Sequence, residues 1–242
     1  MDSGLWCRLD AIGKSTGSEL TKETIVAASP LTASAPVQIH STAIVEKDVE
    51  IGAGTSIWDN VHIRRSARIG AQCIVGEKTY IAPGVTIGDR VKINAFVYIC
   101  SAVSIADGVM ISAGVIFTND RYPRATTPDL LQLRGSEPDE HTLPTFVREG
   151  ATIGAGCRIG CDLVIGRFAM VGMGSVVTKS VPDFTLVVGT PARAIGYVCR
   201  CGQPLRKFDG PAPITEAKLQ CSECGRAYQV ESGTVSEVDA NN

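Results

Sequence analysis

The stretch Ile69-Gly-Ala-Gln-Cys-Ile-Val75-Gly-Glu-Lys-Thr-Tyr-Ile81-Ala-Pro-Gly-Val-Thr-Ile87-Gly-Asp-Arg-Val-Lys-Ile93 places an aliphatic residue at every sixth position. The same phase continues through Ile63, Ile57, Ile51, Val45 and Ile39 on one side and Ile99, Ile105, Ile111 and Phe117 on the other. No member of the series is polar. Two residues before the members stand small or β-branched side chains such as Thr55, Ala67, Cys73, Val85 and Val91. A period of six is neither helical nor that of one long strand; it marks a solenoid of short parallel strands.

Three hexapeptides close one triangular coil, with the aliphatic residue pointing inward and stacked on its counterpart one coil away. At a coil spacing of about 4.8 Å, β-branched and small residues fill so narrow an interior without voids. Glycines such as Gly52, Gly70, Gly76 and Gly88 fall at corners, where positive φ or close backbone approach is required. The spacing therefore predicts an all-β, parallel β-helix of about seven coils over residues 37–198.

The period breaks once, over residues 118–146, and resumes at Val147, Ile153, Ile159, Ile165, Val171 and Val177. Val147 lies 36 residues after Ile111, which predicts the same prism face, with the inserted loop replacing the third side of the fifth coil. A loop this long inside a compact repeat is more often functional than structural. Residues 1–36 show no sustained period and read as a mobile arm with one short helix around residues 20–27. Composition changes at Cys199, so residues 199–242 read as a small appended module.

Bulk properties narrow the function classes. The chain has 242 residues, 44% hydrophobic and only 5% aromatic, which suits a thin prism. A net charge of −2 and the lack of a basic run leave no electrostatic footprint for nucleic acid. No apolar stretch approaches the roughly 18 residues of a membrane span, and no signal-peptide core is present. The expected compartment is the cytoplasm.

Of nine cysteines, Cys73 and Cys157 read as core fillers, while Cys7, Cys100 and Cys161 have no evident partner. Cys199, Cys201, Cys221 and Cys224 form the order CxC, nineteen residues, CxxC. That set is sufficient for one tetrahedral structural Zn²⁺, and Gly225 suits the knuckle after Cys224. With four sulfur ligands no position stays open for catalysis. Lys207, Lys218 and Arg226 would offset the thiolate charge, and so short a ribbon needs such a staple.

Val171-Gly-Met-Gly-Ser-Val-Val-Thr-Lys179, Val181-Pro-Asp183 and Val188-Gly-Thr-Pro-Ala-Arg193, with the hexapeptides, resemble the left-handed β-helix acyltransferases that use acetyl-CoA. Ile57-Trp-Asp-Asn-Val-His-Ile63 and Phe117-Thr-Asn-Asp-Arg-Tyr-Pro-Arg124 resemble the branch that N-acetylates nucleotide-linked amino sugars. The resemblance implies left-handed coils, acetyl-CoA as co-substrate, a nucleoside-diphosphate-linked amino sugar as acceptor, and a homotrimer with sites between prisms. It also implies cofactor contacts at Gly154, Gly172, Gly174 and Ser175, with Lys179 and Arg193 toward the phosphates, and acceptor contacts at Asn119, Asp120, Arg121 and Arg124.

The residues that move the proton must come from a short list, because only three histidines exist. His40 lies in the first coil and His141 in the loop. Counting by coils stacks His62 with Tyr80, Tyr98 and Ile116, a column ending beside the loop, so His62 is the candidate base and Tyr98 a groove residue. A second column, Trp58, Gly76, Asn94 and Ser112, offers Asn94 as an amide donor, although Lys92-Ile-Asn-Ala-Phe-Val-Tyr98 departs from the paired-Asn pattern of the resembled branch. Three other readings stay open: an acetyltransferase for a sugar hydroxyl or an amino acid, a non-catalytic scaffold, and a zinc carbonic anhydrase. The last needs three converging histidines, which His40, His62 and His141 do not supply by spacing.

Overall fold

The computed structural model describes residues 35–210 and 215–238, all of them strand, turn or irregular chain with no helix. Residues 1–34, which include Cys7 and the stretch where a short helix is expected, lie outside the described residues. From Gln38 the chain makes strands of two or three residues that pair only in parallel, each with the strand one coil away.

Three faces result. The first runs from Gln38–Ile39 through Ser56–Ile57, Ile74–Val75, Lys92–Ile93, Met110–Ile111 and Thr152–Ile153 to Met170–Val171. The second carries Ile44–Val45, His62–Ile63, Tyr80–Ile81, Tyr98–Ile99, Ile116–Phe117, Arg158–Ile159 and Val176–Val177. The third holds Glu50–Ile51, Arg68–Ile69, Thr86–Ile87, Val103–Ile105, Thr145–Val147 and Leu163–Ile165. A parallel bridge from Ile165 to Val181 completes the third face, so seven coils stack.

The inward aliphatics form one continuous buried column set, with Ile63, Ile81, Ile99, Ile111 and Ile153 fully enclosed. Burying each such side chain stabilises by roughly 1.5–3 kcal/mol before ordering costs are counted. The companion inward positions are polar in places, and each of those groups has a fixed partner. The Thr55 hydroxyl donates to the Gly70 carbonyl at 2.8 Å, the Cys73 thiol reaches Gly88 O at 3.1 Å, and the Cys157 thiol reaches Gly172 O at 3.2 Å. Cys73 and Cys157 thus fill the core and also satisfy corner carbonyls of the next coil.

Most corners turn on a residue in the left-handed region. From Asp48 to Gly114 such residues recur at every sixth position, most of them not glycine, among them Asn60, Lys78, Arg90 and Phe96. The glycines that follow the inward aliphatics do a different job. A Cβ on Gly76 would lie 2.6 Å from the Asn94 carbonyl carbon one coil away, so only hydrogen fits there.

The insertion corrects one expectation. Val147 pairs with Ile105 and Ile165 on the third face, not with the face of Ile111. Ile111 pairs instead with Ile153, where an uninterrupted coil would have offered Asp129, a delay of 24 residues. The loop is inserted between the second and third sides of the fifth coil and does not replace a side. Because 24 is a multiple of six, the phase survives in the sequence while the face advances.

At the carboxyl end the first face continues with Thr185–Gly189, then reverses into the antiparallel strands Ala192–Val198 and Pro204–Lys207. Glu216–Gln220, Ala227–Glu231 and Thr234–Val238 form a separate antiparallel sheet. The change of composition at residue 199 falls inside one packing unit, since Phe168 and Phe184 share a buried cluster with Tyr197, Cys199, Cys221 and Tyr228. The short tail has too few apolar residues for a core of its own and closes on aromatics supplied by the last coils.

Candidate functional site

Parallel pairing in register places His62, Tyr80, Tyr98 and Ile116 in one outward column of the second face. The Tyr80 and Tyr98 rings stack nearly parallel, 6° apart with centroids at 5.1 Å, and His62 meets Tyr80 edge-on at 5.6 Å. The corner beside this ladder carries Arg64 and Arg65 in the second coil and Cys100 and Ser101 in the fourth. The inserted loop leaves from the same corner in the fifth coil and runs back along it, until Glu137 pairs with Arg65 at 2.7 Å.

A cavity of about 310 Å³ lies between ladder and loop, lined among others by Arg64, Arg65, Tyr80, Tyr98, Asn119 and Glu137. A second, of about 390 Å³, opens inside the loop against Asn119, Asp120, Arg124, Arg134 and Asp139. The two share Ser101, Asn119 and the segment from Ser136 to Pro138, so they make one continuous groove.

Glu46 organises the lower end of the groove. Its carboxylate accepts the Arg65 amide at 2.9 Å and His62 Nε2 at 3.0 Å, and it contacts Arg64 Nε. The hydrogen bond from the Arg65 amide is the main reason its carboxyl is held below the ordinary range, ahead of those from His62 and Arg64. Because an ionised carboxylate only accepts, Nε2 of His62 carries a proton, and in the neutral ring Nδ1 then holds the lone pair. Arg64 donates to the Tyr80 hydroxyl at 2.7 Å, which fixes its head against the ladder. Burial pushes the Tyr98 hydroxyl above its usual range.

Several expected roles change. Arg121 is paired with Asp162 in the sixth coil at 2.9 Å, so it ties the loop to the prism instead of facing the groove. Asp120 accepts the Tyr122 amide at 2.7 Å and lies 3.8 Å from Arg134, shaping the loop from within the groove wall. Asn94 is on the opposite corner, where it lines a separate groove of about 430 Å³ with Trp58 and Gly76, so the structure does not bring it to the cavity of Tyr98 and Asn119.

Among the expected cofactor residues, Ser175 is fully buried, donating to Gly172 O at 2.6 Å and accepting the Gly189 amide at 3.1 Å. Its side chain serves the last coil and is closed to a ligand. Gly154 sits 2.5 Å, measured from an added Cβ, from the Met173 amide, and Gly172 is equally close-set against Val188 at 2.6 Å. Gly174 faces open space at positive φ, and Lys179 and Arg193 are exposed. Arg193 folds back onto the Ala192 carbonyl at 2.9 Å.

Sequence reasoning missed Glu46, Arg64 and Arg65. The signal was available, because residues one coil apart are neighbours: Glu46 stacks under Arg64 as Glu50 does under Arg68, at 3.3 Å.

The four tail cysteines form the one group of three or more potential metal ligands among the described residues, with all sulfurs within 4.8 Å of one another. Cys199 and Cys224 stand 3.4 Å apart, and Cys201 and Cys221 3.6 Å. The CxC and CxxC segments are each held by a tight turn: the Gly202 amide donates to Cys199 O at 2.8 Å, and the Gly225 amide to Cys221 O at 3.0 Å. Burial pushes the Cys199 thiol up to about 12, whereas the Cys224 amide helps bring Cys221 down to about 7. Burial likewise pushes Cys100, beside the ladder, up to about 12.

Residues 66–101 and 84–119 match the family described as bacterial transferase hexapeptide (six repeats). That match covers the middle coils. The chain is 43% identical over 94 residues to a dTDP-3-amino-3,6-dideoxy-alpha-D-galactopyranose 3-N-acetyltransferase of Aneurinibacillus thermoaerophilus, covering 39% of the chain and 45% of the relative. It is 48% identical over 50 residues to serine acetyltransferase of Escherichia coli (strain K12), covering 21% of the chain and 18% of that enzyme. The chain thus spans less than half the length of either relative it matches. A solved structure of a mutant of AntD, an N-acyltransferase from Bacillus cereus, in complex with dTDP and coenzyme A, covers 69% of the chain and 85% of itself at 20% identity and a TM-score of 0.47. No helix among the described residues is long and apolar enough to cross a membrane.

Proposed function

We propose that the chain is an N-acetyltransferase that moves an acetyl group from acetyl-CoA to the amino group of a nucleoside-diphosphate-linked amino sugar, working as a homotrimer in the cytoplasm. The observation that carries this reading is the groove between the Tyr80-Tyr98 ladder and the inserted loop, which joins fixed guanidinium, carboxamide and aromatic groups, with His62 outside the lining and edge-on to Tyr80. The likeness to an amino-sugar N-acetyltransferase supports the same acceptor class.

The reaction needs a neutral amine to attack the thioester carbonyl carbon. The C–N bond forms, the tetrahedral oxyanion collapses, the C–S bond breaks, and the amine proton is lost as the thiolate departs. His62, held by Glu46 with Nδ1 free, takes that proton. Asn119 and Arg124 position the acceptor, and the open corner at Gly174 with Lys179 and Arg193 serves the cofactor arm. A panel of nucleotide-linked amino sugars incubated with acetyl-CoA and followed by mass analysis tests the reading; no acetylated product from any member removes it. The likeness to serine acetyltransferase favours one second reading, transfer to another small acceptor, and the same panel should include amino acids.

His62→Ala is expected to lower turnover at least about 100-fold, the usual size of a general-base effect. A loss of only a few-fold, with binding intact, would assign the proton to the departing thiolate.

The cysteine cluster fits structural zinc. A tetrahedron with Zn–S bonds of about 2.3 Å has sulfur–sulfur edges of about 3.8 Å, close to the observed 3.4 and 3.6 Å. Cys199, Cys201, Cys221 and Cys224 would hold the ion, which would supply no chemistry beyond cross-linking the tail. Tyr228 supports the ligand set: its oxygen accepts the Arg200 amide at 3.0 Å, so its proton is directed to Cys199 Sγ, also at 3.0 Å. Tyr228→Phe should therefore weaken zinc retention against a chelator by about 10- to 100-fold, the common cost of losing an outer-shell bond. Unchanged retention would show that this hydrogen bond contributes nothing to the site.

A further inference from the structure

We propose that the groove beside the tyrosine ladder contains a subsite for a phosphoanhydride anion held by Arg65, and that Glu137 of the loop occupies it as an internal competitor which the anion displaces. The proposal rests on reading the acceptor as a nucleotide-linked sugar and adds to it the place where the diphosphate binds.

The first support is reach. Arg65 belongs to the second coil and the loop departs from the fifth, so Glu137 spans three coil spacings, on the order of 14 Å, to make its 2.7 Å bond. The loop does not need that bond to stay attached. Arg121 already ties it to Asp162 at 2.9 Å, and the Leu143 amide closes its base on Asn119 O at 2.8 Å.

The second support is weakness by design. The Glu137 side chain is 74% exposed, so water screens the pair and the carboxylate leaves readily. A phosphate oxygen makes the same charge-assisted bond to a guanidinium and carries more charge.

The third is charge balance. Arg64 is neutralised by Glu46 and fixed on the Tyr80 hydroxyl, whereas Arg65 has Glu137 as the one carboxylate on its guanidinium among the described residues. Displacing Glu137 leaves a net positive charge facing the cavity, next to the exposed face of Tyr98. An anion that also carries a flat or apolar ring fits that combination.

The competing explanation is that the Arg65–Glu137 pair is a strut. The two make opposite forecasts for the full chain titrated calorimetrically with inorganic pyrophosphate and with dTDP. Under the proposal, Glu137→Gln tightens both ligands by about two- to fivefold, the worth of one exposed ion pair. Arg65→Met weakens both at least about tenfold and cancels the gain in the double variant. A gain of affinity cannot arise from a damaged fold. If Glu137→Gln leaves affinity unchanged or lowers it, the proposal is overturned. Pyrophosphate binding with these dependencies, but no acetyl transfer to any nucleotide-linked amino sugar, would uphold the subsite and remove the acceptor reading. Amino-sugar turnover with a KM unmoved by either substitution would uphold the acceptor and remove the subsite.

Discussion

Replacing residues 120–142 by a short Gly-Ser connector is expected to abolish acceptor binding while leaving the prism folded and acetyl-CoA binding intact. The loop supplies one whole wall of the groove, including Arg124, Arg134 and Glu137. It supplies almost nothing to the core: Tyr122, Leu130, Leu131 and Leu133 are 77–81% exposed. The ion pairs it makes with Arg65 and Asp162 are largely solvated, each worth at most about 1 kcal/mol, and a shorter loop recovers a comparable amount of closure entropy. Stability should thus change by no more than about 1–2 kcal/mol. Calorimetry with each ligand, alongside a denaturation curve, checks the claim. Loss of both ligands with the fold preserved, or of neither, would show that donor and acceptor are not divided between coils and loop.

The second large effect is expected at the tail. Cys224→Ser should reduce bound zinc, measured after exhaustive dialysis, from about one ion per chain to a small fraction of that. Structural zinc contributes on the order of 10 kcal/mol in small domains at neutral pH, and three ligands hold it far less well than four. The loss should spread beyond the tail, because Cys199 and Cys221 are buried in the cluster that includes Phe168 and Phe184 of the last coils. Arg200, between two of the cysteines, also lies 4.6 Å over the Phe168 ring and pairs with Glu149 at 3.7 Å. Near-ultraviolet dichroism should report loosened aromatics. Equal, low metal content in the parent and the variant would end the zinc proposal.

The sequence made the prism legible because its rule is one-dimensional: one inward aliphatic every six residues. The same rule stacked His62, Tyr80 and Tyr98 correctly. It failed at Val147, because an insertion that is a multiple of six leaves the phase intact while shifting the face. It paired His62 with Asn94 because two columns adjacent in the count occupy different corners of the triangle. The resemblance offered Ser175 to a cofactor through its backbone amide; where its side chain points was not legible, and the bonds to Gly172 and Gly189 show the hydroxyl facing inward. Arg121 and Glu137 form their pairs through the path of the loop, which no periodicity specifies.

The reversal at the carboxyl end caps the first face of the prism. A stack of parallel coils is in principle a polymer, since its last coil presents the same unpaired backbone edge that its predecessor used, and any compatible strand from another chain is a template match. Here the first face ends on the strand Pro204–Lys207, laid antiparallel to its neighbour. Pro204 has no N–H to offer, and Arg206 and Lys207 place positive charge along the rim. A further parallel coil meets the wrong strand direction, a missing donor and a charged border. Growth along the first face is terminated chemically, and a chain cut before Ala192 is expected to associate end to end.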